Sequence, residues 1–372
     1  MTVLEKHADF LRDFRGDTVH PSTLDLIDDL GLTEELAQLP QRDVASLRAT
    51  FSDGTFTVAD FSQLRTRHPY IKFLPQWDLL DLLADAASRF DGFTLLRRTE
   101  VVDLVRDAGT VTGVRAVGPD GEIEVRARVT VAADGRGSVV RQRLGLTPTD
   151  YGAPMDVLWF RLPRVDGESE GLDMRIGPGG LMLCIDRGDY WQIAFVIDKG
   201  GYDSVVARGL IAFRQRVAGF APMVADRVDA IASWDDVKML TVQVNRLRQW
   251  HQPGVLLIGD AAHAMSPIGG VGINLAVQDA VAAARVLLPA LRAGSVPDSV
   301  LARVRRRRRF PTAATQLLQR VIQRRLVQPV LSATEPIPAP RALHLVRRIP
   351  FLQTIPARVI GIGIRPETLK AR

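Results

Sequence analysis

The sequence predicts an α/β fold that is interrupted by a mostly antiparallel sheet and closed by a helical, basic C-terminal region. Three observations carry this expectation. First, two segments repeat one pattern of apolar strand, acidic residue, glycine and helix: Val129–Arg143, VTVAADGRGSVVRQR, and Gly254–Ala284, GVLLIGDAAHAMSPIGGVGINLAVQDAVAAA. Second, between them, from Tyr151 to about Arg248, the apolar residues alternate over longer stretches, the signature of half-buried strands. Third, beyond Pro289 the chain turns helical and arginine-rich, then is broken by Pro329, Pro336, Pro338, Pro340, Pro350 and Pro356. Prolines at that density stop long helices, so the tail is expected to wrap over the body.

Taken in order, Thr2-Val3-Leu4 reads as a short strand, and Val19–Leu36 as a helix with Leu24, Ile27 and Leu30 on one face and Gly31 as a stop signal. Short strands follow between Leu47 and Phe73. Gln76–Phe90 is a helix whose broad apolar face carries Leu79, Leu80, Leu82 and Leu83. Glu100–Arg106, Val111–Val117 and Ile123–Arg126 form a three-stranded meander with turns at Asp107–Thr110 and Gly118–Gly121. In the middle region Asp156–Leu162, Leu181–Asp186 and Trp191–Ile197 are strands, a helix spans Tyr202–Gly219, and Thr241–Leu247 leads back to Val255. Leu158, Phe160, Leu183, Trp191, Ile193 and Phe195 alternate toward a pocket or toward an ordinary sheet core, with parity left open.

Composition narrows the class. The 372 residues carry 46% hydrophobic side chains and a mean hydropathy near zero, which suits a globular chain of about two domains. No uninterrupted apolar run reaches the roughly 18 residues a membrane span needs. The N-terminus, MTVLEKHADFLRDF, lacks the shape of a secretory signal. The single Cys184 excludes an intramolecular disulfide, and the cytoplasm is the default compartment. The six histidines have no metal-ligand spacing, so no metal is expected. The net charge of +6 concentrates in Arg303 and Arg305–Arg309. That run reads as a solvated helix face, or as a peripheral contact with an anionic membrane; no specific nucleic acid is expected, since stacking aromatics are missing nearby.

The second strand–acid–glycine–helix unit carries the chemistry. Its strand ends at Gly259-Asp260, placing one carboxylate where open α/β sheets bind ligands. Pro267, Gly269, Gly270, Gly272 and Asn274 then lead into a helix whose free N–H groups and positive end receive an anion or a cofactor.

These residues resemble the FAD-dependent aromatic hydroxylases of the p-hydroxybenzoate hydroxylase type, the group A flavoprotein monooxygenases. Val129–Arg143 is similar to that family's DG motif, Leu257–Asn274 to its GD motif, and Val3–Lys6 to the end of its second Rossmann strand. RGDTVHPSTLDLIDDLGL and LPQWDLLDLL extend the likeness over most of residues 1–290. The resemblance implies a Rossmann-like FAD-binding domain (residues 1–150 and 250–290, with 45–75 on the substrate side), a β-sheet substrate domain over 151–249, and a helical basic region over 291–372.

It also implies roles. Asp260 would bond the ribityl hydroxyls, and Gly270, Val271, Gly272, Ile273 and Asn274 would meet the flavin pyrimidine edge, with Pro267 beside the ring. Glu5, with Lys6 after it, would hold the adenosine ribose. Arg15 and Gln76 would contact phosphate and ribityl oxygens, Val102 would pack against adenine, and Asp134 would serve the FAD and pyridine-nucleotide region. Arg136 and Arg141 would bind NAD(P)H phosphates or lie idle on the surface. His263 is expected to be structural and His20 to hydrogen-bond within a loop. No side chain is expected to be the catalyst, because the flavin is. NAD(P)H would reduce FAD, and a flavin C4a-hydroperoxide formed with molecular oxygen would hydroxylate or epoxidise a small organic substrate, aromatic or polycyclic.

Two further readings stay open: a flavin oxidoreductase of the same fold without hydroxylation, and a truncated, non-catalytic remnant with impaired FAD binding. A halogenase is disfavoured, because Trp191 is followed by Gln-Ile-Ala rather than by Trp-x-Trp-x-Ile-Pro. The family's GxGxxG, in a βαβ unit of roughly 30 residues ahead of the ribose-binding acid, is not in the sequence. Either the start is placed too far downstream or the chain is truncated; the first is the expectation.

Overall fold

The computed structural model describes residues 1–11, 18–168 and 171–369. Its largest element is a seven-stranded sheet in the order Lys238–Leu240, Met155–Pro163, Tyr190–Asp198, Gly180–Asp186, Leu172–Gly177, Ser46–Phe51, Gly54–Asp60. Every neighbouring pair is antiparallel except Leu172–Gly177 with Ser46–Phe51. The early hairpin thus completes the middle sheet from one edge.

Both faces of this sheet are covered, so its strands are buried on both sides rather than half-buried as the alternation suggested. On one face Leu158, Phe160, Trp191, Ile193 and Phe195 pack against Val205, Phe213 and Val217 of the helices Tyr202–Ala207 and Leu210–Phe220. The opposite face presents Val157, Ala194 and Val196, with Trp159, Met174 and Leu183 beside them. Strand register explains the split, since Leu158 pairs with Phe195 whereas Leu183 pairs with Ala194. Five of the six alternating residues singled out in the sequence therefore form an ordinary helix-backed core, and only Leu183 faces the other way. The single helix expected over Tyr202–Gly219 is two, broken at Gly209 with φ +88°.

The parallel strands come in two pieces. Thr2–Leu4 pairs with Thr94–Leu96, and Thr130–Ala132 pairs with Val255–Leu257, which carries the short strand His251–Gln252 on its far edge. Leu4 packs against the apolar cluster that also holds Ala132, Val255 and Leu257, so the two pieces share a core. The meander Glu100–Asp107, Thr110–Gly118, Gly121–Arg126 lies beside it. Gly254 joins the two regions at φ +78°; a Cβ there would sit 1.9 Å from the Val111 carbonyl oxygen, so only glycine fits.

The helix expected over Val19–Leu36 is a strand Thr18–Val19, a helix Pro21–Asp29 and a short helix Thr33–Ala37. Pro21 starts the longer one and Gly31, at φ +74°, ends it, so the stop signal acts before the segment is finished. Thr241–Leu247 is irregular apart from Asn245–Arg246.

Two long helices, Gly272–Arg292 and Asp298–Ile322, pack together behind the second parallel pair. The stretch Ile268–Arg292 is long and apolar enough to cross a membrane by length and composition, contrary to the sequence expectation. Its Asn274, Gln278 and Asp279 are nevertheless buried against protein. The tail does wrap the body. Ile337 and Ala339 bond to Ser52 and Asp53 at the tip of the early hairpin, and Glu367 returns to the long helices.

Candidate functional site

The strand Val255–Leu257 ends at Ile258, whose N–H donates to the Ala132 carbonyl (3.0 Å), so the two acidic strand ends lie side by side. Asp260 follows in a single 3-10 turn, Gly259–Ala261. Its side chain is 43% exposed, and Arg136 Nε stays 4.0 Å away, beyond hydrogen-bond reach. Surrounding protein desolvates the carboxylate and raises its pKa; His263, Arg136 and Arg141 oppose that without cancelling it. Asp134 is exposed, and its carboxylate caps the Val140 N–H (3.1 Å).

The loop after Asp260 is built from both ends of the chain. Gly269 and Gly270 are consecutive left-handed residues, φ +79° and +63°. A Cβ on Gly270 would come 2.5 Å from Thr18 Oγ1. The Gly270 carbonyl accepts from Thr18 Oγ1 (3.1 Å) and Asn274 Nδ2 (3.3 Å), while Asn274 Oδ1 accepts from the His20 N–H (3.1 Å) and Thr23 Oγ1 (2.7 Å). Asn274 therefore ties the start of the helix Pro21–Asp29 to the start of Gly272–Arg292. Two helix N-termini meet at one loop, and the N–H groups of a first turn have no intrahelical acceptor. Pro267 is half-buried just before this meeting point, and Val271, Gly272 and Ile273 complete it.

His20 is fully buried, as a loop hydrogen-bonder should be. Its Nδ1 lies 2.7 Å from the Ile360 carbonyl, which can only accept, so the ring proton sits there. Nε2 is then a buried acceptor with no partner among the described residues, 3.4 Å from where a Cβ on Gly270 would be. Burial drives the His20 pKa down to about 4 against the raising effect of the Ile360 bond. Between pH 6.5 and 4 the unfolded chain thus binds a proton that the folded one refuses, and stability is lost as pH falls through that window. His20→Asn, whose amide can replace Nδ1–H, is expected to remove about 3 kcal/mol of that loss, read as the difference between the two proteins' urea unfolding curves at pH 7 and pH 4.

Behind the loop lies a buried ionic network that the sequence did not suggest. Asp279, with no exposure, accepts from Arg308 Nε (2.8 Å), the Gly259 N–H (3.1 Å) and His263 Nε2 (2.6 Å). His263 is thus structural, as expected. Arg308 is 1% exposed and Arg307 bonds Glu367 through two nitrogens (2.6 and 2.7 Å), so the arginine run is not simply a solvated face. Arg303, Arg306 and Arg309 remain exposed, and so does Arg307 despite its bonds to Glu367. Arg141 is 8% exposed and holds the Asp260 and Ala261 carbonyls (3.4 and 3.0 Å), which takes it off the surface.

The remaining expected residues are more scattered. Glu5 ends the strand Thr2–Leu4 and accepts from the His7 N–H (2.9 Å), with Lys6 exposed next to it. Gln76 opens the helix Gln76–Ser88. Val102 sits at a bulge, and its carbonyl accepts from Arg143 Nε (2.9 Å). Arg15 lies outside the described residues. Asp25, Asp28 and His68 bring ligand-type atoms within 4.8 Å, but Arg67 pairs with both of those carboxylates and with Asp29, filling the cation's place itself.

A half-exposed strand-end carboxylate, a left-handed Gly270 whose Cβ would strike Thr18, and an orphaned buried acceptor beside it suit the ribityl and ring end of a flavin. The comparisons agree. The family described as FAD binding domain matches residues 1–318. The chain is 32% identical to a 6-methylpretetramide 4-monooxygenase of Streptomyces rimosus, covering all of this chain and 88% of that protein. It is 34% identical to a 12-dehydrotetracycline 5-monooxygenase/anhydrotetracycline 6-monooxygenase of the same species over 88% of this chain, where it spans only 65% of the relative's length. The fold also matches a crystal structure of p-nitrophenol 4-monooxygenase from Pseudomonas putida, at 20% identity with a TM-score of 0.78, over 96% of this chain and 90% of the other.

Proposed function

The chain belongs to the FAD-binding-domain family of flavoprotein monooxygenases, and on that premise we propose that it hydroxylates or epoxidises a polycyclic aromatic substrate. The observation that carries the reading is the half-exposed Asp260 carboxylate at a parallel strand end, one turn ahead of a loop where two helix N-termini converge. Bound FAD would supply the redox chemistry between NAD(P)H and molecular oxygen; the protein supplies binding, orientation and exclusion of water.

In this reading Asp260 accepts from ribityl hydroxyls, and the Gly270–Asn274 backbone faces the pyrimidine edge, with the free first-turn N–H groups of Gly272, Ile273 and Asn274 toward it and the Gly270 N–H kept by the Pro267 carbonyl. That edge gains negative charge on reduction, and positive helix ends stabilise it there. Pro267 lines the ring. Glu5, Lys6, Arg15, Gln76, Val102 and Asp134 serve the adenosine, phosphate and pyridine-nucleotide side. The division into cofactor, sheet and C-terminal regions, and a cytoplasmic setting, belong to the same proposal, which uses neither nucleic acid nor membrane.

The substrate would meet the sheet face that carries Trp159, Met174 and Leu183, because Ile268, next to Pro267, packs on that face. The Trp159 indole N–H is buried with no partner among the described residues. An unbonded donor in such a place is costly unless a ligand oxygen completes it.

The purified protein is expected to bind FAD and to consume NAD(P)H and oxygen faster when a polycyclic phenol such as anhydrotetracycline is added. Oxygenated product then separates a monooxygenase from a reductase. A folded protein that ignores added FAD would sink the proposal.

A further inference from the structure

Two buried glutamines of the second long helix and a third, Gln323, opening the π-helical turn Gln323–Val327 that continues it, reach the backbone that leads into the flavin loop. Gln316 Nε2 donates to the Asn245 and Ala264 carbonyls (2.8 and 2.9 Å). Gln319 Nε2 donates to the Ser266 and Ile268 carbonyls, both at 2.9 Å. Gln323 Nε2 donates to Ser266 Oγ (2.9 Å), and that same oxygen accepts from the Ile268 N–H (3.3 Å). The three are 1–3% exposed. Spacings of three and four residues put them on one helix face, so they climb the segment 264–268 as a ladder.

The middle rung is placed unlike the others. Its one amide nitrogen spends both hydrogens on carbonyls that flank Pro267, a residue with no N–H of its own to bond. The chemistry fixes the amide's orientation, because the flipped form would set its oxygen against two carbonyl oxygens. Its Nε2 is fully bonded while its Oε1 has no partner among the described residues, so burying this amide is costly and an apolar residue would serve packing better. What Gln319 adds is direction: it fixes the backbone on both sides of Pro267, immediately before the left-handed Gly269–Gly270 pair.

We infer that Gln319 is a positioning residue for the cofactor-facing turn Pro267–Gly270, setting from the C-terminal helix the angle at which that turn meets the flavin. The inference rests on the flavoprotein reading for its consequence, but its geometry can be tested without a flavin.

Hydrogen exchange on the full chain, with no FAD added, should show the Ile268 and Gly270 amides protected in the wild-type protein. In Gln319→Met, of similar volume and without donors, both should exchange at least about tenfold faster. Val217→Ala, a core truncation on the far face of the sheet, should lower stability yet leave those two amides at wild-type rates. With FAD added, the midpoint potential of the bound flavin should move in Gln319→Met and not in Val217→Ala. Exchange at these amides no faster in Gln319→Met than in Val217→Ala would overturn the inference. So would free-peptide exchange rates at both positions in the wild-type protein, which needs no variant to fold, or an unmoved potential. Wild-type protein that binds no FAD defeats the functional reading instead, and the exchange arm still decides the role of Gln319.

Discussion

Asp279→Ala is expected to destabilise the protein by about 3–5 kcal/mol, measured by urea denaturation. The carboxylate is completely buried and among the described residues has three partners: Arg308, His263 and the Gly259 N–H. Burial alone would raise its pKa, yet the His263 ring and the Arg308 guanidinium outweigh that and hold it below the usual range. Removing the acid leaves a guanidinium, itself 1% exposed, with a neighbouring acid, Glu367, only at 4.0 Å and already engaged by Arg307. An uncompensated buried charge is the costly part, more than the lost attraction. Asp279→Asn keeps shape and one acceptor and should cost less. A loss below about 1 kcal/mol for the alanine variant would show that Arg308 finds another partner or water.

Asp260→Asn is expected to push two measurements in opposite directions. FAD affinity should fall about 10–100-fold, the range for losing a charge-assisted acceptor of hydroxyl protons. Thermal stability of the FAD-free protein should rise. The sign follows from the raised pKa. A carboxyl that is harder to ionise when folded binds more protons there than in the unfolded chain, so it costs stability as pH rises through the shifted range. At neutral pH the charge is held at the protein's expense, and the neutral amide relieves it. Equal melting temperatures with and without the substitution, at unchanged FAD affinity, would remove Asp260 from the site.

The site was legible where its residues are contiguous. Strand, Asp260, Pro267 and the glycines follow one another, and each residue type limits what its backbone can do. His20 and Asn274 were less so, because their bond spans 254 positions and nothing local marks Thr18 or Thr23 as partners. The arginine run misled for the same reason. In Arg305–Arg309 one guanidinium of five turns inward to an acid 29 residues earlier, and helical phase shows that only once the partner helix is known. Strand parity had the same limit. Alternation separates two sets of side chains without saying which set the helices cover, and here they covered Leu158, Phe160, Trp191, Ile193 and Phe195. The helix over Val19–Leu36 failed on punctuation: Pro21 and Gly31 divide a continuous apolar pattern into separate pieces.

Gln319 bonds the backbone of the loop itself, Arg308 bonds Asp279 behind it and the Ile360 carbonyl bonds His20 beside it, and all three lie later in the chain than the loop. During synthesis the turn Pro267–Gly270 emerges before Gln319 exists, so its two bonds from that residue form only after the second long helix is made. Long-range contacts of this kind form late, since closing long loops precedes their reward. Ordering of the turn Pro267–Gly270 is therefore expected late in folding, after the C-terminal residues that bond it arrive.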